Sequence, residues 1–379
     1  MKSFDFIPRT RVVFGEKSLQ QLGRLARELG FHRSLLVADR GLVKVGHTDL
    51  ALEVLRREGV ESDLFDDFEV DPDTVMIERG RDFARSFQPD SIVGLGGGSS
   101  LDCAKGINFL LTNGGRMEDF VGYGKARTPL LPMIGIPTTA GTGSEAQSYA
   151  VIAQPTTHLK MACGDPKAAF HVAILDPALT VSQPFFVTAA SGYDALSHAV
   201  ETYVSTARTP LSESFSREAW RLLERNYKRV LTDPFNLRAR AKLQLGAYWA
   251  GLAIECSMLG AAHACANPLS ARYRLPHGVA IALLLPQVVR WNGSCAGAGY
   301  RDLLAIADLS LEGDAGENLA RRLEEMARAG DLPTRLQESR VGQEDLAELA
   351  QQASQQWIAR FNPRLLDRQA ALQLYQRAL

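Results

Sequence analysis

Short apolar runs alternate with stretches of helical spacing through the first half of the chain, and the rhythm stops near residue 180. Arg33–Ala38 (RSLLVA) predicts a buried strand and Thr48–Glu58 a helix after it. Val60–Phe65 and Asp73–Phe87 repeat the pair, and so do Ser91–Leu95 (SIVGL) and Leu101–Leu111. Leu130–Ile136 and Val172–Asp176 (VAILD) predict two further buried strands. Strands that are apolar on both faces and separated by helices form a mostly parallel sheet covered on both sides. Beyond Pro184 the apolar positions recur at helical spacing in Val187–Ser205, Leu211–Leu231 and Leu237–Ser257, then in shorter stretches to the end. The pattern predicts an α/β dinucleotide-binding domain over residues 1–181 and an all-helical domain over 182–379. The turn between them lies around 178–184, and the cleft between two such domains is the natural place for a substrate.

Composition narrows the function without naming it. The 379 residues are 46% hydrophobic and 22% charged, enough for more than one core. Lys and Arg number 42 against 43 Asp and Glu, a formal net charge of −1, so nothing favours a nucleic-acid partner. The five cysteines, at 103, 163, 256, 265 and 295, include no CxxC pair, which argues against a disulfide framework and a thiolate zinc site. The N-terminus lacks the apolar core of a signal peptide, and the longest apolar run, Val279 to Leu285, ends at Pro286. That run is far too short for a bilayer. A cytoplasmic protein with no membrane association is expected.

Two glycine-rich segments follow strands. Gly94-Leu95-Gly96-Gly97-Gly98-Ser99-Ser100 opens a helix, where free N–H groups and the dipole suit a pyrophosphate. Steric need in a tight turn explains such glycines as well, and Asp102, expected in the first helical turn, also fits dipole compensation. Pro137–Glu145 (PTTAGTGSE) sets Thr138, Thr139, Thr142 and Ser144 among two glycines, with donors suited to phosphate and ribose oxygens. Asp39, at the end of the first strand, is a candidate for the ribose hydroxyls and would repel a 2′-phosphate, which favours NAD over NADP. A turn residue is the alternative at that position.

Asp194 and His198 stand four apart in a helical pattern, so both project from one face. His263 and His277 complete a possible set of one carboxylate and three imidazoles, with Pro276 and Gly278 placing His277 at a helix start. Such a set suits Fe(II), Zn(II), Mn(II) or Ni(II). From spacing alone, packed core histidines explain the pattern as well as ligands do.

These motifs resemble the iron-containing (group III) alcohol dehydrogenase family. The resemblance runs through FGEKSLQQLG, LLVADRGL, GGGSSLDCAKGI, IPTTAGTGSE, LDPALT, GYDALSHAVETYVS, GAAHACANPLS and LPHGVAIALLLPQVVRWN, and covers all but about the last 80 residues. It implies a dehydroquinate-synthase-like fold and NAD-dependent interconversion of a small alcohol and its aldehyde. It further implies Fe(II), or alternatively Zn(II), on Asp194, His198, His263 and His277, and a homodimer or higher homo-oligomer. Cofactor contacts carried over are Asp39, Gly97, Gly98, Ser99, Asp102, Thr138, Thr139, Thr142, Ser144, Lys160 and Leu179. Where the family has a second histidine in a HAxxHPL pattern, this chain has Asn267. An amide holds a hydrogen bond but does not relay a proton at neutral pH. Asn267 is therefore expected to orient substrate or cofactor, with water or a ribose hydroxyl carrying the proton. A zinc-dependent polyol dehydrogenase on the same fold and a non-catalytic NAD sensor are the rival readings. Tyr149, Phe170, Glu255 and Met258 are candidates for a substrate pocket.

Overall fold

A computed structural model describes residues 3–379. The chain divides into two compact units. One comprises Phe6–Thr139 and Ser144–Ser182; the other is chiefly Gln183–Leu379, with Ala140–Gly143.

The first unit runs β1 (Arg11–Phe14), α1 (Leu22–Glu28), β2 (Arg33–Val37), α2 (Arg40–Lys44), α3 (His47–Arg57) and β3 (Glu61–Phe65). It continues with α4 (Thr74–Phe87), β4 (Ser91–Gly96), α5 (Gly98–Asn113), β5 (Gly122–Tyr123), β6 (Met133–Pro137), β7 (Tyr149–Ala153), β8 (Lys160–Gly164) and β9 (Val172–Leu175). Six strands form one sheet in the order β1-β9-β6-β4-β2-β3, every pair parallel. Val37 lies beside Gly94 and Gly96 beside Pro137, so β2, β4 and β6 end side by side. The central strands β4 and β6 are buried along their whole length, which is why they read as continuous apolar runs.

Two features depart from the sequence expectation. β1 is an edge strand, largely exposed, and its short RVVF run has no buried face to reveal it. A small second sheet, β5-β8-β7, contains the antiparallel β7–β8 pair that interrupts the strand–helix alternation.

The second unit is helical: α6 (Phe185–Val204), α7 (Pro210–Thr232), α8 (Leu237–Ser257), α9 (Ala261–Tyr273), α10 (His277–Ile306), α11 (Ala315–Ala329), α12 (Leu346–Ser354) and α13 (Arg368–Ala378). From Thr188 to its end α6 is buried almost all round, so it forms the axis of this core. Among the described residues no single helix is long and apolar enough to cross a membrane.

Candidate metal centre and cofactor loops

Three helices of the second unit bring four side chains together. Asp194 and His198 lie one turn apart on α6, His263 is the third residue of α9, and His277 is the first of α10. Gly278 lets α10 begin there, because a Cβ at that position would stand 2.0 Å from the Ala190 carbonyl oxygen of α6. Asp194 Oδ1 lies 3.3 Å from His198 Nε2, 3.5 Å from His263 Nε2 and 3.6 Å from His277 Nε2. The two Nε2 atoms of His198 and His263 face each other at 3.1 Å.

Despite three imidazoles around it, the buried Asp194 Oδ1 makes no hydrogen bond of normal geometry. Three imidazole nitrogens crowd one carboxylate oxygen, and the His198 and His263 Nε2 atoms share a hydrogen bond that a cation would replace. Bonds of about 2.1 Å to a tetrahedral ion separate its donors by about 3.4 Å, which the observed spacings match. The donor set carries one negative charge and three neutral imidazoles, and it fits a borderline divalent ion. Asp194, His198 and His263 are almost fully buried, whereas 21% of the His277 side chain is exposed, so the cluster opens on the His277 side.

The electrostatics are strongly coupled. Burial alone would raise Asp194, but His198, His277 and His263 outweigh it and hold the carboxyl well below its usual range. Burial pushes His198 down to about 4, against the pull of Asp194. His263 is also penalised by burial, yet its contacts with Asp194 and Glu201 carry it up to about 9.

Sequence reasoning overlooked Glu201. It follows Asp194 and His198 on the same face of α6, and the seven-residue spacing from Asp194 was the available signal. Asn267 Nδ2 donates to Gln356 Oε1 at 3.3 Å, a partner from the C-terminal stretch that carried no motif. Of the pocket candidates, Phe170 is fully buried in the first unit's core, and the Tyr149 ring packs on Tyr123 with centroids 5.6 Å apart. Met258 terminates α8 and packs on the core of the helical unit.

In the first unit, β3 and β4 lie on opposite sides of β2, so the chain changes direction across the sheet beside β2 and β4. Ligands of open α/β sheets settle at the carboxyl ends of strands at such a switch. Asp39 follows β2 and the Gly97-Gly98-Ser99 run follows β4 at this place. Gly97 caps α5 without a side-chain partner and no acid lies in the first turn, so the positive end of the helix dipole is not offset there. Asp39 does serve the turn: its Oδ1 accepts from the Gly41 and Leu42 amides, while Oδ2 accepts from Ser100 Oγ at 3.3 Å. Ser99 Oγ accepts from the Asp71 amide, and Lys160 Nζ pairs with Asp71 Oδ1 at 2.8 Å. Leu179 is buried in the core of this unit.

The PTTAGTGSE segment has divided roles. The Thr138 amide donates to the Gly96 carbonyl, which joins this segment to the glycine loop. Thr142 lies in Ala140–Gly143, which packs with the helical unit. Gly143, at φ +64°, approaches the Gly251 Cα so closely that a Cβ would stand 2.6 Å away. Ser144 Oγ donates to Asp102 Oδ1 at 2.6 Å and accepts from Lys105 Nζ at 3.0 Å, so its hydroxyl holds the loop together. Burial raises Asp102, with Lys105 and Ser144 opposing, and it pushes Glu145 up to about 7.

Comparison with known proteins gives the family. Residues 8–177 match the family model "Iron-containing alcohol dehydrogenase", and residues 188–379 match "Fe-containing alcohol dehydrogenase family, C-terminal". The chain is 32% identical to 1,3-propanediol dehydrogenase of Klebsiella pneumoniae, covering 100% of this chain and 99% of that one. It is 31% identical to NAD-dependent methanol dehydrogenase of Bacillus methanolicus, over 99% of each. Among solved structures, a 1,3-propanediol oxidoreductase superposes with a TM-score of 0.96 at 32% identity, and an alcohol dehydrogenase from Oenococcus oeni with 0.95 at 31%. Both matches cover 100% of each chain.

Proposed function

The chain belongs to the iron-containing alcohol dehydrogenase family, and on that premise we propose that it interconverts a small primary alcohol and its aldehyde with NAD(H), at one divalent metal held by Asp194, His198, His263 and His277. The observation that carries the site is the convergence of three Nε2 atoms on Asp194 Oδ1 at 3.3–3.6 Å. Fe(II) is the ion we favour, from the family; the donor set accepts Zn(II) as well. When bound, the ion supplies Lewis acidity at the substrate oxygen, which eases loss of the hydroxyl proton and of the hydride. A non-catalytic NAD sensor would have no use for this donor set.

The chain's own residues do the rest. The α5 N-terminus, through Gly97, Gly98 and Ser99, holds the pyrophosphate, and Thr138 and Thr139 extend that cradle. Asp102 and Ser144 brace it from beneath, a role their mutual hydrogen bond supports. Thr142 steadies the adjoining turn, Leu179 offers an apolar wall, and Lys160 reaches a ribose hydroxyl. In alcohol oxidation, hydride leaves the carbinol carbon for C4 of the nicotinamide, and the hydroxyl proton goes to solvent. Asn267, held by Gln356, orients the reactants. Water or a ribose hydroxyl carries the proton, since an amide does not ionise.

The relatives named for propanediol and methanol support small alcohols as substrates. We place the enzyme in the cytoplasm, where NAD(H) is at hand and its five free cysteines stay reduced. A homo-oligomer is the expected assembly, and the outer edge of β1, with Val12 and Phe14 exposed, offers an unpaired strand for it.

Asp39 decides the cofactor. With its carboxylate beside the ribose, NADH should serve far better than NADPH in the reduction of small aldehydes such as 3-hydroxypropanal. Asp39→Gly should lift NADPH-dependent kcat/KM by about tenfold or more, because a like-charge clash is removed. Equal use of both cofactors by the parent protein would refute this assignment.

A further inference from the structure

The third-residue position of His263 raises the question of what holds the start of α9. Its N-cap is Gly260, which offers no side-chain oxygen to the first amides of the helix. Two side chains from elsewhere take that role. Asn362 Oδ1 accepts from the Ala261 amide at 3.2 Å, and Glu201 Oε1 accepts from the Ala262 amide at 2.7 Å. Asn362 is itself fixed by a reciprocal amide pair with Asn292 of α10, at 2.9 and 3.0 Å. The second oxygen of Glu201 stands 2.5 Å from His263 Nδ1. Glu201 and His263 are both buried to at least nineteen-twentieths, with 5% and 3% exposure.

This geometry fixes a proton on one nitrogen of the His263 ring. A carboxylate whose first oxygen accepts from a backbone amide presents only acceptors with its second. His263 Nδ1 must then carry a proton, so that the neutral ring a cation requires keeps its lone pair at Nε2, on the side of Asp194 Oδ1 and His198 Nε2. An acidic partner on the far nitrogen also makes an imidazole a stronger donor to a cation.

We propose that Glu201 is a positioning residue that fixes the His263 tautomer and thereby sets the affinity of the metal centre, doing so with one carboxylate that also anchors the helix carrying that histidine. The proposal rests on the metal reading above. It separates the two tasks cleanly: Asn362 anchors α9 without touching the ring, whereas Glu201 does both.

Glu201→Gln tests it. With Gln Oε1 still on the Ala262 amide, its Nε2 faces His263 Nδ1 as a donor. The ring then needs its lone pair at Nδ1 and its proton at Nε2, where it blocks ligation. Parent, E201Q, Asn362→Ala and Asp194→Ala proteins are stripped of metal and titrated with Co(II) against a competing chelator. Affinity and the visible d–d absorption of the site are the readouts. E201Q should bind Co(II) about 10–100-fold more weakly than the parent, with an altered spectrum. N362A should lose thermal stability yet stay within about threefold of the parent affinity. Parent-like affinity in E201Q, or an equal loss in N362A, would overturn the tautomer role. Should metal-free E201Q be unfolded by circular dichroism, Glu201→Asp serves instead. It keeps the charge but withdraws it by one methylene, so it must also weaken Co(II) binding, and parent-like affinity there overturns the proposal. Failure of the parent to bind Co(II), or undiminished binding by D194A, would bring down the metal site itself and the proposal with it.

Discussion

Asp194→Ala is expected to lower kcat/KM for aldehyde reduction by roughly a thousandfold or more, the several kcal/mol that Lewis-acid assistance supplies. The reason is local. Asp194 Oδ1 lies within 3.6 Å of the Nε2 atoms of His198, His263 and His277. It also brings the only negative charge of the donor set. Without it three imidazoles face one another with no anion to offset a dication, and metal affinity falls with turnover. NADH binding should be unchanged within about twofold, because Asp39 and the Gly97–Ser99 loop belong to the α/β unit. Steady-state kinetics and NADH fluorescence titration on the same preparation measure both. Full turnover in the variant would contradict the assigned role.

Lys105→Met is expected to destabilise the α/β unit by about 3–5 kcal/mol, the cost of breaking a buried charged network from one side. Lys105 is fully buried in α5. Its Nζ donates to the Ser144 carbonyl at 2.7 Å, Ser144 Oγ at 3.0 Å, the Gln147 carbonyl at 2.9 Å and the Tyr149 carbonyl at 2.7 Å. Asp102 Oδ1 lies 4.0 Å away, and the Phe170 ring centroid 5.1 Å. Methionine fills similar space without a donor, so the Ser144, Gln147 and Tyr149 carbonyls lose this charged donor and Asp102 loses its compensating charge. The unfolding transition of this unit should drop by roughly 10 °C. Because Ser144 and Asp102 would lose their brace, KM for NADH should rise as well. A parent-like melting curve would show that these carbonyls find other partners.

How much of this was legible in the sequence follows from burial. Strands β2, β4, β6 and β9 are apolar because both faces are covered, so the sequence displayed them as unbroken runs. Helix α8 has the bounds its spacing predicted, Leu237–Ser257. Edge strand β1 and the β7–β8 pair escaped, since short or half-exposed strands leave no clear period. The Asp194–His198 spacing placed half the metal site on one helix face, and Pro276-His277-Gly278 placed a third ligand at a helix start. That His263 joins them is a tertiary fact, and the resemblance supplied it. Lys105 was invisible for a different reason. A single lysine in a helical pattern reads as solvated, and only the fold shows four acceptors converging on its amine. Glu201 and Asn362 were missed because their partners are backbone amides and an imidazole far away in sequence. The hydroxyl of Ser144, expected at the cofactor, is engaged by Asp102 and Lys105, which the sequence did not indicate.

Metal content measured beside activity tests the central claim most directly. Protein purified without oxygen, analysed for its elements and assayed with NADH and a small aldehyde, should hold about one divalent ion per chain. Chelation should abolish turnover, and Fe(II) or Zn(II) added back should restore it in proportion to occupancy. Undiminished NADH-dependent reduction by metal-free protein would contradict the account.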